Sequence, residues 1–147
     1  MIIDSHEHLM ITTESQIEKM EKAGVDKAIL FCTAPHPEKA DSLDELKREM
    51  ETLYRILGGS NTKEANISRN KKNILELAAV LKRYPDRFYG FGSVPLGLTI
   101  QETKEWIKRY IVSNGLKGIG EFTPGSDEQI QQLETVFKAL VDFQYLP

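Results

Sequence analysis

Residues 1–10 read Met1-Ile2-Ile3-Asp4-Ser5-His6-Glu7-His8-Leu9-Met10. The stretch opens on β-branched residues and closes on two histidines one residue apart. On a strand, positions i and i+2 point to the same face, so His6 and His8 can address one point from a rigid element. Asp4 is expected on that same face, one pleat deeper. Three further β-rich runs follow, Lys27 to Cys32, Phe88 to Val94 and Leu116 to Phe122. Segments of helical periodicity lie between and after them. This alternation predicts βαβ units built on a parallel sheet.

The helix boundaries carry their own signals. Thr13-x-x-Gln16, Ser42-x-x-Glu45, Thr99-x-x-Glu102 and Ser126-x-x-Gln129 have capping-box spacing. Gly24, Gly58 and Gly115 sit where a left-handed terminating residue is wanted, and Pro85 closes a helix expected over Asn70 to Tyr84. Leu43, Leu46, Met50, Leu53 and Leu57 form one apolar stripe, and Ile130, Leu133, Phe137 and Leu140 form another. Both stripes are expected to pack into the core. Between Cys32 and Phe88 lie two helices and a polar loop, Gly59 to Arg69, where a simple crossover needs one helix. The segment at about 33–70 therefore reads as a helical insertion, either covering a site at the strand ends or ornamenting the surface.

The 147 residues suffice for one ordinary domain. Nineteen basic against 22 acidic residues give a formal charge of −3, which argues against a nucleic-acid partner held by bulk charge. Apolar residues at 40% and charged residues at 28% are a globular composition. The single cysteine, Cys32, excludes an intrachain disulfide framework and fits a reducing, cytoplasmic setting. No signal-peptide pattern opens the sequence, and no apolar run reaches the roughly 18 residues of a membrane span.

Imidazole suits zinc and other first-row metals, so His6 and His8 are candidate metal ligands. Two hydrogen-bonded histidines at a strand end are the alternative. A catalytic metal needs more donors. Glu121, near the end of the fourth run, is the best third candidate, because functional groups gather at strand C-terminal ends in parallel α/β folds. Its alternative is a surface salt bridge. Gly118 and Gly120 leave space on one face of that run. His36, in Thr33-Ala34-Pro35-His36-Pro37, is a candidate substrate contact or else a solvated loop histidine. Cys32 reads as a small buried apolar residue and Trp106 as a packing residue. No catalytic residue is assigned. No Gly-rich phosphate loop and no Gly-x-Ser-x-Gly elbow is present. Asn66-Ile67-Ser68 matches a glycosylation acceptor, but nothing else points to secretion.

The stretch Ile3-Asp4-Ser5-His6-Glu7-His8-Leu9 resembles the first strand of the metal-dependent hydrolases of the amidohydrolase superfamily. Leu81-Lys82-Arg83-Tyr84-Pro85-Asp86-Arg87-Phe88-Tyr89-Gly90-Phe91-Gly92-Ser93-Val94-Pro95-Leu96 is similar to the third-strand entry of its amidohydrolase-related branch, which includes decarboxylases. Gly115-Leu116-Lys117-Gly118-Ile119-Gly120-Glu121 resembles the fourth strand. The resemblance covers nearly the whole chain. It implies an α/β fold of the (β/α)8 TIM-barrel type, with about four βα units present as the N-terminal half of a barrel. It implies His6, His8 and Glu121 as metal ligands and a divalent metal ion as cofactor, zinc first, with manganese or iron as alternatives. Such an ion lowers the pKa of bound water from about 15.7 toward about 7. The implied reaction is attack of metal-activated water on a small carboxylic, amide or lactone substrate, or decarboxylation of an aromatic or unsaturated acid.

Glu121 also resembles the strand-four glutamate of TatD-type metal-dependent deoxyribonucleases, the rival enzyme reading. The resemblance puts further histidines on strands five and six and a catalytic aspartate on strand eight, beyond the four strands read here. A fifth strand is expected to begin near Gln144-Tyr145-Leu146-Pro147. The expectation is a truncated chain, inactive in isolation, with a small-molecule substrate and neither nucleic acid nor membrane as partner. The third reading is a non-catalytic half barrel that dimerises through its open edges at Met1 to His8 and Leu116 to Phe122.

Overall fold

The four β-rich runs form one parallel sheet in chain order: β1 (Ile3–His8), β2 (Lys27–Phe31), β3 (Phe88–Gly92) and β4 (Gly118–Ile119). The structure, a computed structural model, describes residues 1–33, 35–58 and 62–143. The expected fifth-strand start at 144–147 lies outside them. The helices are α1 (Thr13–Ala23), α2 (Leu43–Leu57), α3 (Lys63–Arg83), α4 (Ile100–Trp106) and α5 (Asp127–Leu140). A 3₁₀ turn, Pro37–Lys39, precedes α2. A π turn, Ile107–Ile111, and a 3₁₀ turn, Val112–Asn114, extend α4. This is the parallel βαβ arrangement expected from the alternation, with the four strands that the resemblance implies. No helix among the described residues is long and apolar enough to cross a membrane.

The layer between sheet and helices is dry. Ala28, Leu30, Ile74, Leu77, Ile107 and Ile111 are fully inaccessible. The helices approach closely because β3 carries glycine where its side chains would meet them. A Cβ on Gly92 would lie 2.4 Å from Ile111 Cδ1 and 2.6 Å from Leu116 Cδ1. The fourth strand is the most shortened relative to expectation. Only Gly118 and Ile119 pair as strand, with flanking bonds from Lys117 N to Gly90 O and from Gly120 N to Gly92 O. Glycine holds a strand weakly, since it has no side chain to pack and loses more freedom on ordering.

Three of the four expected caps form. Ser42, Thr99 and Ser126 accept from the backbone N–H three residues on, and Thr99 with Glu102 completes a reciprocal box. The Thr13–Gln16 box does not. Thr12 is the N-cap, without a side-chain bond, and Gln16 turns back toward β1. Gly24 and Gly115 terminate their helices in the left-handed region, whereas Gly58, at φ −77°, stays right-handed. Of the polar loop expected over Gly59 to Arg69, residues 59–61 lie outside the described residues and Lys63 to Arg69 are helix. Thr62 caps α3 by accepting from Ala65 N, and the polar start of α3 had hidden this turn from a reading based on apolar periodicity.

Two expected core stripes are corrected. No residue of α2 is buried, and Leu43 and Leu57 are largely exposed. In α5 the buried residues are Val136 and Ala139, while Ile130 and Phe137 face outward. An amphipathic pattern specifies a helix with an apolar side. It does not specify that the core has room to receive that side.

Candidate metal centre and cleft

The end of β1 is built by a bulge. Asp4 lies across from Ala28 and Glu7 across from Leu30, so two residues of β1 oppose one of β2. The Asp4 carboxylate accepts from His6 N at 3.0 Å and holds the irregularity in place. Adjacent residues of a parallel pair share a face, so Asp4 and Glu7 belong to the face that Ala28 and Leu30 bury against the helices. Asp4 is therefore not beneath the two histidines as expected, because the bulge breaks the simple alternation. His8 lies across from Phe31, on the opposite face.

His6, His8 and Glu121 converge on that face. The candidate donor atoms of all three lie within 4.8 Å of one another. Glu121 Oε2 is 3.7 Å from His6 Nε2 and 3.5 Å from His8 Nε2. The three side chains are 43–49% exposed, so the cluster opens outward. Rings support it from below. His6 stacks on Phe31 with centroids 4.4 Å apart, and Phe31 leans on Phe91 at 5.3 Å. Phe91 in turn occupies the space over Gly118, where a Cβ would lie 2.6–2.8 Å from three of its ring atoms. The vacancy expected over the β4 glycines is thus filled by an aromatic ring.

Gln16 is a positioning residue that the sequence did not announce. Its side chain is buried under the end of β1. It donates to Glu7 Oε2 at 2.6 Å and His8 O at 3.0 Å, and accepts from Met10 N at 3.0 Å. These bonds clamp the strand end that carries His8.

A cleft of about 560 Å³ opens beside the cluster, lined in part by His8, Glu121, Met50, Leu53, Ile56 and Arg69. The apolar side of α2 forms one of its walls, which explains why that stripe is not core. From the segment at 33–70, Pro35, Pro37, Met50, Leu53, Ile56 and Arg69 line this cleft. Cys32 also lines the cleft, and burial raises its thiol pKa to about 11, with the Ser93 backbone and hydroxyl pulling the other way. Ser93 Oγ itself is buried with no hydrogen-bond partner of ordinary geometry among the described residues. Trp106 is a packing residue as expected, and its indole N–H donates to Ser93 O at 3.1 Å.

His36 is neither solvated nor part of the cleft lining. It is 7% exposed. Its Nδ1 is 3.1 Å from Glu38 Oε1, its Nε2 3.6 Å from Glu76 Oε2, and its backbone N–H donates to Glu49 Oε2 at 3.0 Å. Glu38 also accepts from Ile11 N at 2.7 Å. His36, a candidate substrate contact from the sequence, is buried here among carboxylates. It ties the Pro37–Lys39 turn to α2, α3 and the loop after β1. Burial opposes the ionisation of Glu38, but the bonds from Ile11, its own N–H and His36 outweigh it and hold the carboxyl below its ordinary range.

With this geometry in view, solved structures give the fold its place. An amidohydrolase II structure superposes on 99% of this chain and 48% of its own, at a TM-score of 0.63 and 14% identity. The chain has a partial TIM-barrel fold that matches about half of this structure. The 2,6-dihydroxybenzoate decarboxylase from Rhizobium superposes on 96% of this chain and 46% of its own, at 0.61 and 16% identity. A 5-carboxyvanillate decarboxylase from Novosphingobium aromaticivorans, solved with manganese and 4-hydroxy-3-methoxy-5-nitrobenzoic acid, matches 97% of this chain and 47% of its own, at 0.52 and 20% identity. The half barrel spans about half the length of these structures. No protein-family model and no curated protein matches the sequence.

Proposed function

We propose that this half barrel carries the first ligands of a divalent-metal site in a metal-dependent hydrolase or decarboxylase of the amidohydrolase type. His6, His8 and Glu121 are the ligands, and further donors and the acid–base group belong to later strands. The convergence of the three donors carries the reading. Metal–ligand bonds of about 2.0–2.2 Å at right-angled to tetrahedral geometry set donor atoms about 3.0–3.5 Å apart. The two separations from Glu121, 3.5 and 3.7 Å, need only a few tenths of an ångström of closure, and all three donors lie within 4.8 Å of one another. Two imidazoles and one carboxylate suit zinc, manganese or iron. Manganese in the 5-carboxyvanillate decarboxylase supports keeping manganese beside zinc.

A divalent ion bound there supplies Lewis-acid polarisation of a substrate oxygen and acidifies water. The rest belongs to side chains of the chain. Phe31 sets the plane of His6 through ring stacking. Gln16, through His8 O, fixes the strand end from which His8 projects. Met50, Leu53 and Ile56 give the cleft an apolar wall that strengthens electrostatic contacts by excluding water. The protonated Cys32 thiol offers no nucleophile near neutral pH. The substrate class is a small carboxylic, amide or lactone compound.

The test is metal stoichiometry. The purified chain, equilibrated with zinc or manganese and washed, is expected to hold about one ion, and His8→Ala and Glu121→Gln to lose it while keeping the wild-type circular dichroism. A metal-free wild-type chain, or variants that hold the ion as well as wild type, would overturn the proposal.

A further inference from the structure

One buried histidine plays no part in the candidate metal centre. His36 is 7% exposed, and acidic groups from three elements face it. Glu38 of the Pro37–Lys39 turn meets Nδ1 at 3.1 Å, and Glu76 of α3 meets Nε2 at 3.6 Å. Glu49 of α2 accepts from the His36 backbone N–H at 3.0 Å. The side chains of Glu38 and Glu76 are themselves mostly out of water. Cys32, within reach of the Glu76 charge, is kept protonated first of all by burial and adds no charge of its own.

This arrangement is sensitive to a single proton. A carboxylate only accepts hydrogen bonds, and a neutral imidazole has one N–H. The imidazolium alone turns an N–H to Glu38 and to Glu76 together. In the neutral ring one nitrogen would aim a lone pair at a carboxylate oxygen where little water can intervene, which repels instead of holding. Histidine is the side chain that exchanges these two states between about pH 5 and 8. Burial would raise the Glu38 carboxyl, yet bonds from Ile11 N–H, its own N–H and His36 keep it below its ordinary range, so it stays charged over that interval.

What the cluster fastens is not fastened by the core. No residue of α2 is buried, and its Leu43 and Tyr54 are largely exposed, while Met50, Leu53 and Ile56 wall the cleft. A helix with few buried apolar contacts opens at low cost. Helix α3, in contrast, is anchored by Ile74 and Leu77, fully inaccessible on either side of Glu76. His36 thus connects a loosely packed wall to a fixed support.

We propose that His36 is a proton-operated latch: its imidazolium bridges Glu38 and Glu76, holds Glu49 through its backbone N–H, and so keeps α2 against the cleft until the proton is lost. The wall is set on the acid side of neutrality and loosens on the alkaline side. The inference goes beyond the proposed function and does not rest on the metal.

The experiment is hydrogen–deuterium exchange of the metal-free chain from about pH 5.5 to about pH 8.5, normalised at each pH to the unfolded chain. Protection of α2 is expected to fall by about tenfold or more across the interval, the scale of one charge-assisted hydrogen bond, while α3 around Ile74 and Leu77 keeps its protection. In ¹⁵N spectra both His36 ring nitrogens should carry protons at the acid end. His36→Gln should leave α2 weakly protected at every pH, with His6 and His8 still present to reveal any share of theirs. Glu76→Gln, which leaves His36 one charged partner fewer, should shrink the fall. Flat protection of α2 in the wild-type chain, or a neutral His36 ring at the acid end, overturns the latch without any variant. A fall in His36→Gln as large as in wild type overturns it and assigns the effect to His6 and His8. A fall shared equally by α3 overturns it as well, since the whole fold would then be loosening.

Discussion

Gly118→Ala probes the support beneath the candidate ligands. A Cβ at residue 118 would meet three atoms of the Phe91 ring at 2.6, 2.7 and 2.8 Å. Ordinary carbon–carbon contacts settle at about 3.5–4.0 Å, so the ring must retreat by about 1 Å. A phenyl ring cannot bend away as a leucine methyl can, and Phe91 is wedged against Phe31, which carries His6. Overpacking of this kind costs about 1–3 kcal/mol. For a chain of this length that is a fall in melting temperature of about 3–10 °C. The displacement also passes along the rings, so zinc or manganese affinity should fall by about tenfold, the lower range for a disturbed supporting group. Gly24→Ala is the control. Nothing lies within 4 Å of its Cβ, but its φ of +73° makes alanine strained by about 1–2 kcal/mol. It should lower the melting temperature and leave metal affinity unchanged. Calorimetric melting and metal titration of both variants decide the matter. A Gly118→Ala protein that melts within 1 °C of wild type, or that binds metal with unaltered affinity, refutes the proposed line of contact.

Gln16→Leu leaves Glu7, His8 O and Met10 N without their shared partner and should destabilise by about 1–3 kcal/mol. It should also weaken metal binding, and the same two assays read both effects. Glu38 is held below its ordinary carboxyl range in the fold, so the unfolded chain binds its proton more readily. Its contribution is present above the ordinary glutamate pKa and is lost as pH falls through the lower folded value. Urea unfolding of Glu38→Gln between about pH 6 and 3 should therefore show a shallower acid loss of stability than wild type. Cys32, with its thiol at about 11, should react with iodoacetamide at pH 7.5 far more slowly than free cysteine, by about a hundredfold, and reach the free rate on denaturation. Equal rates in the folded and unfolded chain would contradict the burial.

The fold was legible because the sequence repeats one physical instruction. β-rich runs alternate with capped amphipathic segments, and that alternation sufficed for the parallel sheet, while the spacing of His6 and His8 on the first run placed them on one face. Glu121 was reachable through its place after β4. What escaped reading depends on contacts between distant segments. The bulge that turns Asp4 away from the histidines involves the pairing of β1 with β2 and leaves no mark in residues 1–10. Gln16 has capping-box spacing, yet the polar atoms at the end of β1 compete for it and win. His36 looks like a loop histidine until three carboxylates, from the turn, α2 and α3, close on it.

Helix α2 forms a wall of the cleft while burying none of its own residues. Most folding free energy comes from apolar surface removed from water, and here that surface lies between the sheet and the other helices. The wall of the cleft and the buried core are consequently written in different parts of the chain. Met50, Leu53 and Ile56 can be exchanged for larger, smaller or polar residues with little risk to the barrel half. Each exchange would alter the shape offered to a bound molecule. Such a wall is where new substrate preferences can accumulate in a lineage, or be installed by design, without compensating mutations elsewhere.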